Sequence, residues 1–219
     1  MRIAIIAALP AEADAFMPSV GSTVRTDHHL IIRTLDHAGH SIRITSCGIG
    51  KVNAACAATL LAAQADLLMI IGTAGKLGNK MGDCFVLTEA LQSDYGATRT
   101  DGFVHYVAGD VPIGPATLTP FRAFTLPDIG LPQARIASGD SFIECPDHSL
   151  RLVTALNADL VDMETAAVAQ VAAKLGLPWA GIKATTDDAN GSTASDFRAN
   201  LAHAARLAAH AAERTIALM

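Results

Sequence analysis

Charged residues are scarce in this chain, and none of them form a basic run. They make up 17% of its 219 residues, and the formal net charge is −5. Without a basic cluster the chain lacks the electrostatic footprint of nucleic-acid binding, so no nucleic acid is expected as a partner. Hydrophobic residues reach 51%, which is above the usual range. We expect part of this apolar excess to be covered by another copy of the chain, in a homo-oligomer.

Paired cysteines and long hydrophobic runs are also missing. The four cysteines form no C-x-x-C pair, which favours a reducing cytoplasmic location over a disulfide scaffold. No Cys, His and carboxylate cluster has metal-ligand spacing, so neither a metal nor another cofactor is predicted. The apolar run from Ala54 to Ala63 is too short to cross a bilayer, and no membrane association is expected. The short apolar run after Arg2, closely followed by Glu12, predicts a buried first strand rather than a signal peptide.

Strands alternate with helices along most of the chain. This order predicts one α/β domain over residues 1–219, with a central, mixed, twisted sheet flanked by helices. Residues 67–71 read as a buried strand that the glycines of 72–75 should break. A helix is expected to begin near Glu164 and to stop at Gly176. Residues 92–133 lose the pattern and predict long loops with some extended pieces.

Three carboxylates each follow a short apolar strand: Glu12, Glu164 and Asp187. In an α/β sheet, ligands bind in the crevice outside the carboxyl ends of the strands. Three acids converging there would suit a reaction through a cationic transition state, with one acid protonating a leaving group and one base activating water. The alternative is that each is a helix N-cap or first-turn acid, positions that Asp and Glu favour in any protein.

Other candidates also have two readings. The segment 72–75 could expose backbone N–H groups to a ligand, or could serve only as a tight turn. Phe142 could stack on a planar base, or could belong to the core. A serine esterase is not favoured, because Ile143 stands where the nucleophile elbow around Ser141 needs its second glycine.

Taken together, these stretches resemble the nucleoside phosphorylase/nucleosidase superfamily, closest to the 5′-methylthioadenosine/S-adenosylhomocysteine nucleosidases. The similarity covers nearly the whole chain except 92–133. The matching stretches, in the order of the family, are Ile5-Ile6-Ala7-Ala8-Leu9-Pro10-Ala11-Glu12, Ser46-Cys47-Gly48-Ile49-Gly50-Lys51-Val52-Asn53-Ala54-Ala55, Gly72-Thr73-Ala74-Gly75, Ser138-Gly139-Asp140-Ser141-Phe142-Ile143, Asp162-Met163-Glu164-Thr165-Ala166-Ala167 and Lys183-Ala184-Thr185-Thr186-Asp187.

The resemblance implies an enzyme that hydrolyses the N-glycosidic bond of a purine nucleoside and releases adenine. It implies the following roles: Glu12 activates water, Asp187 protonates N7 of the base, Met163 and Glu164 contact the ribose, Phe142 stacks on the purine, Ile143 meets the base edge through its backbone, and Thr73, Ala74 and Gly75 line the base and sugar. An aspartate of ordinary pKa, about 3.9, would be ionised, so Asp187 needs a raised pKa or a proton shared through Thr186.

Two departures from the family pattern leave alternatives open. Lys183 stands where Arg is usual, and Thr186 stands where Ser is usual. Residues 93–97 look more like the futalosine hydrolases, a sister branch. The phosphorylases carry a phosphate-holding Arg after the first strand, where this chain has Glu12, and a carboxylate there favours water as the nucleophile. Futalosine-type hydrolysis, purine nucleoside phosphorolysis and a non-enzymatic nucleoside-binding protein remain the alternatives.

Overall fold

The structure is a computed structural model that describes residues 1–18, 20–116 and 118–219. Its strands are β1 Arg2–Ala7, β2 Thr23–Asp27, β3 Leu30–His37, β4 His40–Ser46, β5 Leu67–Lys76, β6 Cys84–Gln92, β7 Gly96–Arg99, β8 Gly102–His105, β9 Phe121–Arg122, β10 Gln133–Ser138, β11 Leu160–Asp162 and β12 Trp179–Asp187. Its helices are α1 Pro10–Ala15, α2 Lys51–Ala62, α3 Pro146–Leu156, α4 Thr165–Leu175 and α5 Thr193–Ala217.

One large mixed sheet forms the centre of the molecule, as the sequence predicts. Its strands are ordered β11-β10-β6-β12-β5-β1-β4-β3-β2, and β9 pairs with β6. Strand β1 pairs in parallel with both β4 and β5, and β5 pairs in parallel with β12. Strand β12 runs antiparallel to β6, and β11 also pairs antiparallel with β5. The parallel strands β1, β5 and β12 therefore end side by side at one edge of the sheet.

Alternate side chains of the central strands enter two separate cores. Ile3 and Ile5 of β1 pack with Phe16 near α1 and with the alanine-rich face of α5. Ala4 and Ile6 of the same strand pack with residues of α2 and α4. Helices thus cover both faces of the sheet, which explains why β1 reads as a continuous apolar run rather than an alternating one.

The glycines of 72–75 do not break β5, which corrects one expectation. The strand continues to Lys76, because its backbone pairs with that of β12 as far as Gly75, which lies opposite Asp187. A register shift between Thr185 and Asp187 marks a bulge in β12. Gly72 takes φ +141°, a conformation open to glycine, while the ladder stays intact around it. Asp187 is consequently the last residue of a strand and does not follow one.

Other boundaries agree with the sequence. Helix α4 ends at Leu175, and Gly176 closes it in the left-handed conformation at φ 67°. The 92–133 region holds the hairpin β7–β8 and the two-residue strand β9 between irregular segments. Among the residues that the structure describes, none of the helices combines the length and the apolar character that crossing a bilayer would need.

Candidate active site

A single cavity at the carboxyl ends of β1, β5, β11 and β12 contains every site residue predicted from the sequence. Its lining includes Glu12, Thr73, Ala74, Gly75, Phe142, Ile143, Met163, Glu164, Thr186 and Asp187. Segments separated by up to 175 positions in the chain therefore meet at one place, as the strand-end rule leads one to expect. The roles that the resemblance implies for these residues stay predictions.

The Glu12 carboxylate is buried and held by four donors. Glu12 is the third residue of α1. Its Oε2 accepts the backbone N–H groups of Ala8 and Leu9, both at 3.0 Å. Its Oε1 accepts the N–H of Thr73 at 2.7 Å and the Thr73 hydroxyl at 2.8 Å. Glu12 thus satisfies the N-terminus of a helix and also enters the cavity, so the structural reading of this residue does not exclude the functional one.

Gly72 provides the space for that carboxylate. A Cβ at position 72 would lie 2.7 Å from Cδ and Oε1 of Glu12 and 2.8 Å from Oε2. Atoms at such distances would have to move, so the side chain of Glu12 reaches the cavity only because residue 72 has no side chain. The sequence marked this glycine as a strand breaker, whereas the structure gives it a role in the site.

Glu164 is the N-cap residue of α4 and lies 4% exposed in the cavity wall. Its Oε1 accepts the N–H of Gly50 at 2.9 Å, which ties it to the turn before α2. Burial, and then the nearby charge of Asp162, raises the pKa of Glu164 to about 7, although the Lys183 ammonium opposes this rise. A carboxyl with this pKa exchanges its proton near neutral pH.

Lys183 is fully buried behind the cavity, with its Nζ 2.9 Å from Oδ2 of Asp162. Burial acts to lower the pKa of the Lys183 ammonium, but the fields of Asp162, Glu12 and Glu164 outweigh it and raise that pKa. Asp162 also accepts the hydroxyls of Ser138 and Thr165. Lysine therefore supplies here a single point charge among three acids, where an arginine would supply a planar fork of donors.

The pKa of the Asp187 carboxyl is raised, which is the direction that its predicted role as a general acid needs. Burial, as the dominant cause, raises the pKa of its carboxyl, and the charges of Asp188 and Asp196 act in the same direction. The Thr186 hydroxyl donates to Oδ2 at 2.6 Å and the N–H of Ala189 donates to Oδ1 at 3.0 Å, and both bonds work to lower the pKa. Burial is thus the source of the raised pKa, and Thr186 orients the carboxyl.

Two aromatic rings stand at the mouth of the cavity. Phe142 is 48% exposed and lies edge-on to Phe197 of α5, with ring centroids 5.7 Å apart and an interplanar angle of 83°. About half of the surface of Phe142 is thus exposed, and stacking on a planar base is the role predicted for it. Ile143, the next residue, is buried in a small core that includes Leu77 and Leu152. That packing fixes the backbone that carries Phe142.

Sequence reasoning missed part of the lining. Thr193 and Phe197, from the first turns of α5, also line the cavity. Ile49 and Asp162 line it as well, although they have no predicted role beyond membership of the family's matching stretches. A usable signal existed for Phe197, because it is the sole aromatic residue of the alanine-rich segment that forms α5.

The cavity is chemically acidic. Glu12, Asp162, Glu164 and Asp187 line it, and Lys183 is the buried cation behind them. Such a surface favours positive charge developing on a bound molecule. Within 1–18, 20–116 and 118–219, no group of three or more His, Cys, Asp and Glu side chains is arranged to hold a metal ion.

Comparisons with known proteins agree with this fold. The family model described as "Phosphorylase superfamily" matches residues 2–217. A 5′-methylthioadenosine/S-adenosylhomocysteine nucleosidase of Bacillus subtilis (strain 168) is 32% identical over 203 residues, covering 85% of this chain and 86% of that protein. A solved structure of the S. pneumoniae enzyme of that name, with a transition-state inhibitor, is 26% identical, covers 99% of both chains and has a TM-score of 0.85.

A futalosine hydrolase mutant of Helicobacter pylori strain 26695 has the same fold, with a TM-score of 0.85, 21% identity and full coverage of both chains. The fold is therefore common to both branches. The match over residues 2–217 and the identity to the Bacillus relative decide the assignment. The chain belongs to the phosphorylase superfamily, in the family of the 5′-methylthioadenosine/S-adenosylhomocysteine nucleosidases.

Proposed function

We propose that this protein hydrolyses the N-glycosidic bond of a purine nucleoside of the 5′-methylthioadenosine/S-adenosylhomocysteine type and releases adenine. The observation that carries the proposal is that three buried carboxyl groups line one cavity, each in different surroundings. Glu12 is fixed by four donors, Glu164 faces the turn before α2, and Asp187 has a raised pKa. Their different surroundings suit three different tasks.

The proposed reaction uses these groups in sequence. Asp187 gives its proton to N7 of adenine, which makes the base a better leaving group as the bond between C1′ and the base breaks. Glu164 accepts hydrogen bonds from the ribose hydroxyls, and the acidic wall stabilises the positive charge that develops on the sugar. Water attacks C1′ and passes a proton to Glu12. Phe142 covers one face of the base, while Thr73, Ala74 and Gly75 line the base and sugar.

A purine-release assay tests this proposal. The panel contains 5′-methylthioadenosine, S-adenosylhomocysteine, futalosine and inosine, each with and without phosphate. We expect adenine release from the first two without phosphate, and loss of turnover by at least about a thousandfold in Glu12→Gln with the fold intact. Release that requires phosphate would overturn the hydrolase assignment, and a fully active Glu12→Gln would overturn the role of Glu12.

Futalosine-type hydrolysis is the second candidate, favoured by the segment 93–97. This segment packs directly against the loop that precedes Phe142: Ser93 donates its N–H to the Ser138 carbonyl, and Asp94 accepts the N–H of Asp140. The segment thus contacts the stretch that leads to Phe142 in the cavity lining. Faster purine release from futalosine than from 5′-methylthioadenosine would select this candidate.

A homodimer and a cytoplasmic location complete the proposal. Ile49, just before α2, lines the cavity and is 52% exposed, and Val52, in the first turn of α2, is 80% exposed. A second copy covering these residues would remove apolar surface from water next to the cavity mouth. Light scattering in solution should give the mass of two chains, and the mass of one chain at assay concentration would contradict the dimer.

A further inference from the structure

Helix α1 carries Glu12 but is too short to hold its own position. It has six residues, far fewer than an isolated helix needs for stability, and its sequence Pro-Ala-Glu-Ala-Asp-Ala offers no basic side chain for its carbonyl end. Directly after it the chain turns at Met17, whose φ of 45° is a left-handed conformation that non-glycine residues rarely adopt. Contacts from other elements therefore have to hold the position of α1.

Arg33 of β3 supplies the main polar contact to this end of α1. Its Nη1 donates to the Met17 carbonyl at 3.0 Å, and its Nη2 donates to the Ala13 carbonyl at 3.1 Å and also to the Phe16 carbonyl. Ala13 is the residue next to Glu12. Glu213 of α5 holds the same turn from the other side, with its Oε1 accepting the Met17 N–H at 2.6 Å.

The hairpin formed by β3 and β4 holds a second arginine that also donates to the carbonyl end of a helix. Arg43 of β4 donates from Nη2 to the Leu61 carbonyl at 2.6 Å, at the carbonyl end of α2. In the register of the hairpin Arg43 pairs with Thr34, so Arg33 and Arg43 leave opposite faces of the sheet. Both guanidinium groups are partly buried, and burial lowers the pKa of each. Leu61 lies 11 residues from Gly50, about 16 Å along the helix from the end that faces the cavity.

We propose that Arg33 is a positioning residue for Glu12, acting through the carbonyl end of α1, whereas Arg43 makes the equivalent contact on α2 with no part in turnover. The inference rests on the proposed role of Glu12. Arg33 does not line the cavity and cannot touch a bound nucleoside. Loss of its contacts would let α1 shift, and a displacement of about 1 Å at a reacting group can cost on the order of a hundredfold in rate.

The experiment compares Arg33→Ala, Arg33→Lys and Arg43→Ala by steady-state kinetics with 5′-methylthioadenosine, by thermal unfolding and by hydrogen–deuterium exchange. We expect Arg33→Ala to lower kcat between about tenfold and a hundredfold with KM within about threefold. Lys can reach fewer of the three carbonyls, so Arg33→Lys should recover part of kcat. Arg43→Ala should keep kcat within about twofold while lowering the unfolding temperature about as much as Arg33→Ala.

Exchange separates this inference from the proposed function. Peptides covering 9–18 should exchange faster in Arg33→Ala, and peptides covering 51–63 should do so in Arg43→Ala. An inactive wild-type protein would contradict the proposed function, whatever the variants do. With an active wild type, equal losses of kcat in both alanine variants, or an unchanged kcat in Arg33→Ala, would overturn the positioning role. If Arg33→Ala does not fold, Arg33→Lys decides: full wild-type kcat with faster exchange of 9–18 overturns the role.

Discussion

At Gly72 the backbone of β5 passes so close to the Glu12 carboxylate that a single methyl group would displace it. We expect Gly72→Ala to lower kcat by about a hundredfold, because Glu12 must leave its place among the N–H groups of Ala8, Leu9 and Thr73. Purine release at saturating nucleoside measures the effect.

The control for Gly72→Ala is Gly102→Ala. Gly102 has a similar φ of +132°, but a Cβ there would meet no atom within 4 Å. Both substitutions force alanine into a conformation that favours glycine, so both should destabilise the fold by on the order of 1 kcal/mol or more. Equal kinetic losses in the two variants would mean that backbone strain, and not the space for Glu12, is what matters at position 72.

Residue types and their order along the chain singled out the three carboxylates, the segment 72–75 and Phe142, and the resemblance to the family added the other predicted members of the cavity lining. All ten lie within strand ends or shortly after them, where the strand-end rule places ligands. Residue types and order were not enough for Phe197 and Thr193. These residues reach the cavity through the direction in which α5 leaves β12, and packing decides that direction. Lys183 shows a related limit, since its burial beside Asp162 depends on which face of β12 it occupies.

At the scale of elements, short-range patterns predicted where helices begin and end but misjudged two strand ends. A run with two glycines looks like a turn when it is read alone. In the molecule β12 and β11 on either side of β5 satisfy its backbone groups as far as Gly75 and Lys76, so the strand persists. The pairing partners come from residues 160–187, and no local reading of 72–75 contains them.

The 93–97 segment and the loop before Phe142 are joined by a small polar network. The Lys51 ammonium donates a hydrogen bond to Oδ1 of Asp94 at 2.5 Å, and the N–H of Asp140 donates to Oδ2 at 3.0 Å. Asp140 in turn accepts the Lys51 N–H at 2.8 Å. We expect Asp94→Ala to raise KM between about threefold and tenfold with kcat within about twofold, because the loop that carries Phe142 loses its anchor while the carboxylates stay in place.

Asp101→Ala is the matched control, since Asp101 is an exposed aspartate at the turn of the β7–β8 hairpin. Steady-state kinetics with 5′-methylthioadenosine and futalosine compares the two variants. A fall in kcat at unchanged KM in Asp94→Ala would show that the network supports the reacting groups instead of the ring at the cavity mouth.

For the molecule as a whole, the acidic cavity has a consequence for stability as well as for turnover. Burial raises the pKa of Glu164 from 4.5 to about 7 and raises the pKa of Asp187 as well. Between the ordinary pKa of Glu164, 4.5, and its raised pKa of about 7, the folded chain binds more protons than the unfolded chain. The free energy of unfolding must therefore fall as the pH rises through this window. The contribution of Glu164 is present in full below about pH 4.5 and is lost as the pH passes 7.

Glu164→Gln removes this titration, because an amide stays neutral at every pH. We expect its free energy of unfolding, relative to that of the wild type, to increase from pH 5 to pH 8 by up to about 3 kcal/mol, the equivalent of the difference between 4.5 and about 7 in pKa. Urea unfolding at intervals of one pH unit measures this, with Glu144→Gln, at an exposed position, as the control. The same slope in the wild type and in Glu164→Gln would mean that Glu164 is ionised throughout the window. Its contact with Gly50 and the Lys183 charge would then outweigh burial, and Glu164 would face the developing cation as a charged carboxylate throughout this pH window.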